Sequence, residues 1–550
     1  MVKYLRLFGA VTGIAVLAAC GGTSSPTSVT PTSTARGTLA ANPPLRIASL
    51  DAATFQADLN GSNAQLLLLT GNPACGVDFY YLTFWTVGAK GEPTKSSGAM
   101  MVPTGAAAGC SGPRPIVLYG HGTEFNKSAN IADITNPANQ EGGLIAAAFA
   151  AQGYIVVAPN YAGYDISTLG YHPYLNASQQ SSEMIDILAA ARAALPATLS
   201  ARTSDSGKLF ITGYSEGGHV AMATQRAMIA AGLPVTAAAP MSGPYAMEAY
   251  GDTIIFGGVP IGATLFAPLL STSYQQAYGD IYSTPGDLYS ATYATGIDTL
   301  LPSNTPYTTL LANGTLPLSA AFDSTTPSVA ETGNNAQLAA ALGIPPTFLL
   351  PASAATPVFQ AGFGSPFLIN NSYRIAYAAD ALTNPDPALL GTGVTRVATP
   401  PTQPLRLAFY TNDLRTGWAP NSPTLLCGGD SDPTIFFNVN TQVMQAYWSQ
   451  LPAGLVTVLD INAPPSGPFA QLQGAFHAEN DLPSAANPMG GTTFQNYLAF
   501  YESAAGGGLP PAQAQQAAAL QVVEGTHSAE APFCTEAAYR FFTSILLAGG

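Results

Sequence analysis

The chain has 550 residues, with 17 Lys and Arg against 31 Asp and Glu and a formal charge of −14. It has no basic cluster that could neutralise phosphates, which excludes nucleic acid as a partner. Charged residues make up only 9% of the chain, well below the usual quarter. The length exceeds what one hydrophobic core fills, so a single catalytic fold must carry a large insertion.

Lys3 and Arg6 precede an apolar run over 7–19, which is too short to span a bilayer and has signal-peptide proportions. The run ends Leu17-Ala-Ala-Cys20, which resembles a bacterial lipobox. The expectation is a signal peptide over 1–19 with Cys20 acylated as the mature N-terminus; an ordinary signal peptide is the rival. The Gly/Ser/Thr/Pro stretch that follows reads as a flexible tether over 20–43. The protein is then exported, and either lipid-anchored to the bacterial envelope, its only membrane contact, or secreted. Four further cysteines, Cys75, Cys110, Cys427 and Cys534, form an even set and predict two disulfides. Of three connectivities, sequence separation favours Cys75 with Cys110 and Cys427 with Cys534.

A catalytic domain is expected over 44–550. Segments 78–87 and 97–103, split by the turn Gly91-Glu-Pro93, read as an antiparallel hairpin. Apolar strands at 116–119, 154–158, 209–212 and 235–239 alternate with helical patterns at 143–151, 181–194 and 216–231. This is the pattern of a mostly parallel sheet covered on both faces, an α/β fold. It breaks over about 245–403, a block rich in Pro, Gly, Tyr, Ser and Thr with a helical patch at 336–342. That block reads as a lid or cap inserted in the sheet fold, with a second domain as the alternative. Strands return at 424–427 and 455–459, and a helix over 535–547 closes the chain.

Gly213-Tyr-Ser-Glu-Gly217 lies between a strand and a helix, the setting a nucleophile elbow requires, and nominates Ser215. A Gly-rich turn with an incidental serine is the bland alternative. An oxyanion hole needs two aimed N–H donors: Glu216 supplies one, and Gly120-His-Gly-Thr123 the other, Thr123 ahead of Gly122. Cys427-Gly-Gly-Asp-Ser-Asp432 offers two acids. Spacing from Gly429 selects Asp432 and leaves Asp430 as a turn residue. The base is His477 or His527, with His527 preferred on the loop before the closing helix. His121 and His219 read as structural, and His172 as a loop or cleft residue. Five scattered histidines without metal-ligand spacing give no metal site. The Cys427–Cys534 bridge is expected to hold acid and base in register.

These motifs, with Ala158-Pro-Asn-Tyr-Ala-Gly-Tyr164, His172-Pro-Tyr-Leu175 and Pro532-Phe-Cys534, resemble the secreted lipase/esterase branch of the α/β-hydrolases from about residue 75 to the C-terminus. The resemblance implies an α/β-hydrolase fold, an inserted lid, a Ser-His-Asp triad and hydrolysis of small or polymeric carboxylic esters without a cofactor. The block 245–400 departs from it, which leaves the ester open. A serine peptidase of the same fold is one rival, although no carboxylate pair for a peptide amine is evident. A non-catalytic surface binding protein on this scaffold is the other.

Overall fold

In a computed structural model of the chain, residues 35–549 are described apart from 63, 137, 199–201, 325–352 and 397–398. The expected signal peptide, Cys20, most of the tether and the patch at 336–342 lie outside the described residues. The fold begins ahead of the expected boundary at 44: the Gly37 and Ala40 amides donate to Trp85 and Thr83 carbonyls at 2.9 and 2.7 Å, and Arg36 pairs with Asp186 at 3.0 Å.

Nine strands form one sheet: β1 (Leu45–Leu50), β2 (Gly76–Val87), β3 (Pro93–Thr104), β4 (Gly112–Gly120), β5 (Ile155–Pro159), β6 (Thr203–Tyr214), β7 (Ala237–Met241), β8 (Thr424–Gly428) and β9 (Val456–Asp460). The order is β1-β2-β3-β5-β4-β6-β7-β8-β9. β1 to β3 are antiparallel, as is β3 on β5; the strands from β5 to β9 run parallel. The central strands are Val/Ile/Leu/Ala runs buried on both faces, as a parallel sheet demands. Because β5 lies outside β4, β4 stays beside β6 and pairs Gly120 with Gly213. The glycine loop and the candidate nucleophile therefore leave the sheet side by side.

Helices α1 (Gln140–Ala148), α2 (Ala177–Thr198) and α3 (Glu216–Ala230) follow β4, β5 and β6. Between β7 and β8 lies the insertion, which includes α4 (Met247–Ile255), α5 (Ala263–Tyr278), α6 (Asn371–Thr383) and α7 (Pro404–Asn412). It has its own core around Leu265, Leu269, Tyr274, Tyr377 and Phe409. It runs past the expected end at 403, because Arg406 of α7 is buried against Asp252 of α4, with both N–O distances 2.8 Å. Helices α8 (Ala470–Asn480) and α9 (Pro511–Leu547) complete the chain. One sheet face packs Val117 and Phe210, together with Phe149 at the end of α1, against Phe542 of α9. The other packs Leu118, Ile155 and Ile211 against Met184, Ile187 and Val220 of α2 and α3.

Two disulfides are present. Cys75–Cys110 ties the start of β2 to the turn before β4, and Cys427–Cys534 ties β8 to α9, with Cα separations of 5.3 and 5.6 Å. One expectation is corrected here. The closing helix starts at Pro511, not 535, so His527 sits within a 37-residue helix and not on a loop. Gly525 and Pro532 read as breakers in sequence. The helix persists through them because Phe533, Cys534 and Phe542 are buried on the sheet.

Candidate active site

Ser215 occupies the turn from β6 into α3 with φ 60° and ψ −120°, a conformation unusual for a residue with a side chain. Crowding enforces it. A Cβ on Gly217 would stand 1.9 Å from the Gly120 carbonyl oxygen, and one on Gly213 would stand 2.4 Å from the Gly217 carbonyl oxygen. Only glycine permits strand and helix to approach this closely. The Ser215 amide donates to the Met241 carbonyl at 3.0 Å, and the Ser215 carbonyl accepts from the Gly218 amide at 2.9 Å. The turn is pinned on both sides.

Three sequence-nominated side chains meet at this point. His527 Nε2 lies 2.9 Å from Ser215 Oγ, and His527 Nδ1 lies 2.6 Å from Asp432 Oδ2. Asp432 is buried in the loop after β8, where its Oδ1 accepts the Thr434 and Ile435 amides at 2.7 and 3.0 Å. Those bonds fix the carboxylate and leave Oδ2 for the imidazole. His527 is held from behind by Tyr214, whose hydroxyl donates to the His527 carbonyl and whose ring lies 5.0 Å from the imidazole centroid. The alternative base, His477, is on α8, paired with Asp481 at 2.7 Å and the Ala463 carbonyl at 3.1 Å. Asp430 is exposed, with Ser431 Oγ 3.0 Å from its carboxylate.

The glycine loop divides the expected donors. The Gly122 amide donates to both oxygens of Glu141, at 3.0 and 3.1 Å. It is therefore not available to an oxyanion, which corrects its expected role. Tyr119 also donates to Glu141, at 2.7 Å. Burial raises the pKa of this α1 carboxyl, against a lowering by His121 and by these donors. Glu141 thus fixes the loop one residue before Thr123. Among the described residues the amides of Thr123 and Glu216 meet no acceptor. Ser215 and Thr123 line one cavity, and Ser215 and Glu216 another.

The first of these cavities opens between α1, α8 and α9 and includes Gln140, Glu141, Glu479 and His527. The second lies under the insertion and is almost wholly apolar, walled by Tyr174, Met247, Ile254, Phe266, Leu270 and Ile435. Ser215 stands at the junction. The remaining histidines are structural. His121 packs 4.1 Å from the Tyr161 ring, with Nδ1 2.6 Å from the Gly122 carbonyl. His219 is buried, and its pKa is pushed down to about 4 by burial. His172 is fully buried behind the turn, where its ring meets Glu216. Sequence reading missed Glu141 and the partner of His172, because neither pairing leaves a spacing signal. Among the described residues no group of three or more His, Cys, Asp or Glu could hold a metal ion.

No protein-family model and no curated protein matches the chain. Among solved structures, the rice cell wall degrading esterase LipA from Xanthomonas oryzae is 26% identical with a TM-score of 0.57, covering 78% of this chain and 91% of that one. A Legionella pneumophila protein, 19% identical with a TM-score of 0.52 over 76% of this chain and 90% of its own, shares the fold. The chain has the α/β-hydrolase fold and is similar to an esterase of that fold.

Proposed function

We propose that the protein hydrolyses carboxylic esters through an acyl-enzyme, with Ser215 as nucleophile, His527 as base and Asp432 as the acid that orients it. The observation that carries this reading is the unbroken chain from Asp432 Oδ2 through the His527 ring to Ser215 Oγ, with links of 2.6 and 2.9 Å. As Ser215 Oγ bonds to the ester carbonyl carbon, its proton passes to His527 Nε2. Asp432 holds Nδ1–H and stabilises the imidazolium. The carbonyl oxygen becomes an anion against the Glu216 and Thr123 amides, aided by the α3 N-terminus. The imidazolium then gives the proton to the departing alcohol. Water repeats the sequence to release the acid and return the Ser215 proton.

The two cavities divide the substrate. The apolar cavity under the insertion suits an acyl chain, whose burial contributes roughly 0.8 kcal/mol per CH2. The open cavity with Gln140, Glu141 and Glu479 suits the alcohol portion, whether a small molecule or the continuation of a polymer. The insertion thereby acts as the lid. Ser215→Ala tests the reading: p-nitrophenyl ester hydrolysis should fall by about 10⁴-fold or more, and unaltered turnover contradicts it.

The protein is further read as exported and held by a lipid on Cys20. The lipobox-like end of the apolar run and the two disulfides support an oxidising compartment outside the cytoplasm. Cys20→Ala should move the protein from the membrane to the soluble fraction; membrane retention contradicts the anchor.

A further inference from the structure

Glu530 lies on α9 one turn beyond His527 and is fully buried. Among the described residues it forms no ion pair, and its carboxyl has one hydrogen-bond partner, the Ser242 hydroxyl 3.2 Å from Oε2. Oε1 is buried without a partner. The titratable groups that interact with it are Asp430 and Asp432 from the loop after β8, Asp460 from the end of β9 and Tyr214 from β6. Burial, and after it the charge of Asp432, pushes the Glu530 carboxyl well above the usual range.

A Cβ on Gly429 would stand 2.0 Å from Glu530 Oε1 and 2.0 Å from Asn462 Oδ1. Gly429 is therefore a glycine because these two oxygens close over it, and they lie within about 4 Å of one another. Asn462 Oδ1 already accepts the Ser431 amide at 3.3 Å, which identifies it as the acceptor end of its amide. Two acceptors face one another stably when one of them carries a proton. A carboxylate at Glu530 would instead set a second anion beside Asp432 in a water-poor site.

We propose that Glu530 is an uncharged positioning residue for the triad, a carboxylic acid that links the acid loop at Gly429 and Asn462 to Ser242 after β7 and to the helix carrying His527. Its neutrality leaves Asp432 as the one anion held against the imidazole. The proposal rests on the triad reading, and the two fail differently: Ser215→Ala tests the triad, whereas the comparison below is made among chains that all keep Ser215.

The test compares the full chain with its Glu530→Gln and Glu530→Ala variants. Glutamine keeps the shape without charge, so kcat at neutral pH should stay within about threefold of the parent, as for other isosteric replacements. Alanine removes the link, and kcat should fall about 10- to 100-fold as the triad loses register, with KM within about twofold. The infrared difference spectrum of the parent minus Glu530→Gln at neutral pH should contain the C=O stretch of a protonated carboxylic acid and no carboxylate pair. Carboxylate bands overturn the proposal. So does a glutamine variant that fails to fold or is as impaired as the alanine variant, and so does an alanine variant with parental kcat. The glutamine kinetics and the spectrum decide even where the alanine variant does not fold.

Discussion

His172 Nε2 stands 2.7 Å from Glu216 Oε1, and Glu216 directly follows Ser215 in the chain. The Gln180 amide donates to the same oxygen at 2.6 Å, and His172 Nδ1 lies 2.9 Å from the Ala162 carbonyl. The imidazole is packed between Tyr161 and Tyr164. Nδ1 therefore carries a hydrogen, and the ring bridges the loop after β5 to the first residue of α3. This bridge fixes the residue whose amide the proposed mechanism sets against the oxyanion. His172→Phe keeps the stacking and removes the bridge. The variant should lose about 1–3 kcal/mol of stability from the stranded carboxyl, read by thermal melting, with kcat reduced by about tenfold or more through the misplaced amide.

Glu141 performs the matching task on the other side of Ser215. Glu141→Ala should release the glycine loop and lower kcat/KM by about 10- to 100-fold, less than outright loss of an oxyanion donor. Glu141→Gln retains an acceptor for the Gly122 and Tyr119 donors and should fall between that variant and the parent. Parental kcat/KM in Glu141→Ala would separate the loop from catalysis.

The Cys427–Cys534 bridge closes 107 residues of chain. Chain entropy alone gives a loop of this size about 4–5 kcal/mol of stabilisation. The bridge lies five residues before Asp432 and seven after His527, so its removal should cost activity as well as melting temperature. The double variant Cys427→Ala, Cys534→Ala is expected to lose kcat at a temperature where circular dichroism still shows it folded. Loss of Tm with unchanged kcat would restrict the bridge to global stability.

His219 gives the protein an acid-side weakness. Burial pushes its pKa down from 6.5 to about 4, so the unfolded chain takes up a proton near pH 6.5 that the folded chain refuses until about pH 4. The stability this group contributes is complete above pH 6.5 and is lost as pH falls towards 4, up to about 3 kcal/mol. His219→Gln, which can still donate to the Asn412 carbonyl that now receives His219 Nε2 at 3.2 Å, should show a smaller drop in Tm between pH 7 and pH 4.5 than the parent does.

Much of the site is legible in sequence where local sterics dictate it. Gly213 and Gly217 bracket Ser215 because no side chain fits between β6, α3 and the Gly120 carbonyl. Asp432 is distinguished from Asp430 by the turn that buries it. The disulfides follow from an even cysteine set. Contacts between distant segments are less legible. Nothing local shows that the Gly122 amide is already taken by Glu141, or that Gly429 is a glycine because Glu530, about a hundred positions on, fills its space. His527 falls in a helix where Gly525 and Pro532 suggest a loop, since burial of Phe533 and Phe542 against the sheet outweighs local propensity. The insertion overruns its expected end for the same kind of reason: Arg406 belongs to a charge cluster with Asp252 and Glu248 that only the folded chain assembles.

The central claim is that His527, held by Asp432, activates Ser215. Measuring kcat/KM for a p-nitrophenyl ester in His527→Ala and His477→Ala side by side tests it most directly. The account predicts a loss of about 10⁴-fold or more in His527→Ala and near-parental activity in His477→Ala, whose ring is engaged with Asp481 and the Ala463 carbonyl. Retained turnover in His527→Ala, or its loss in a folded His477→Ala, would contradict it.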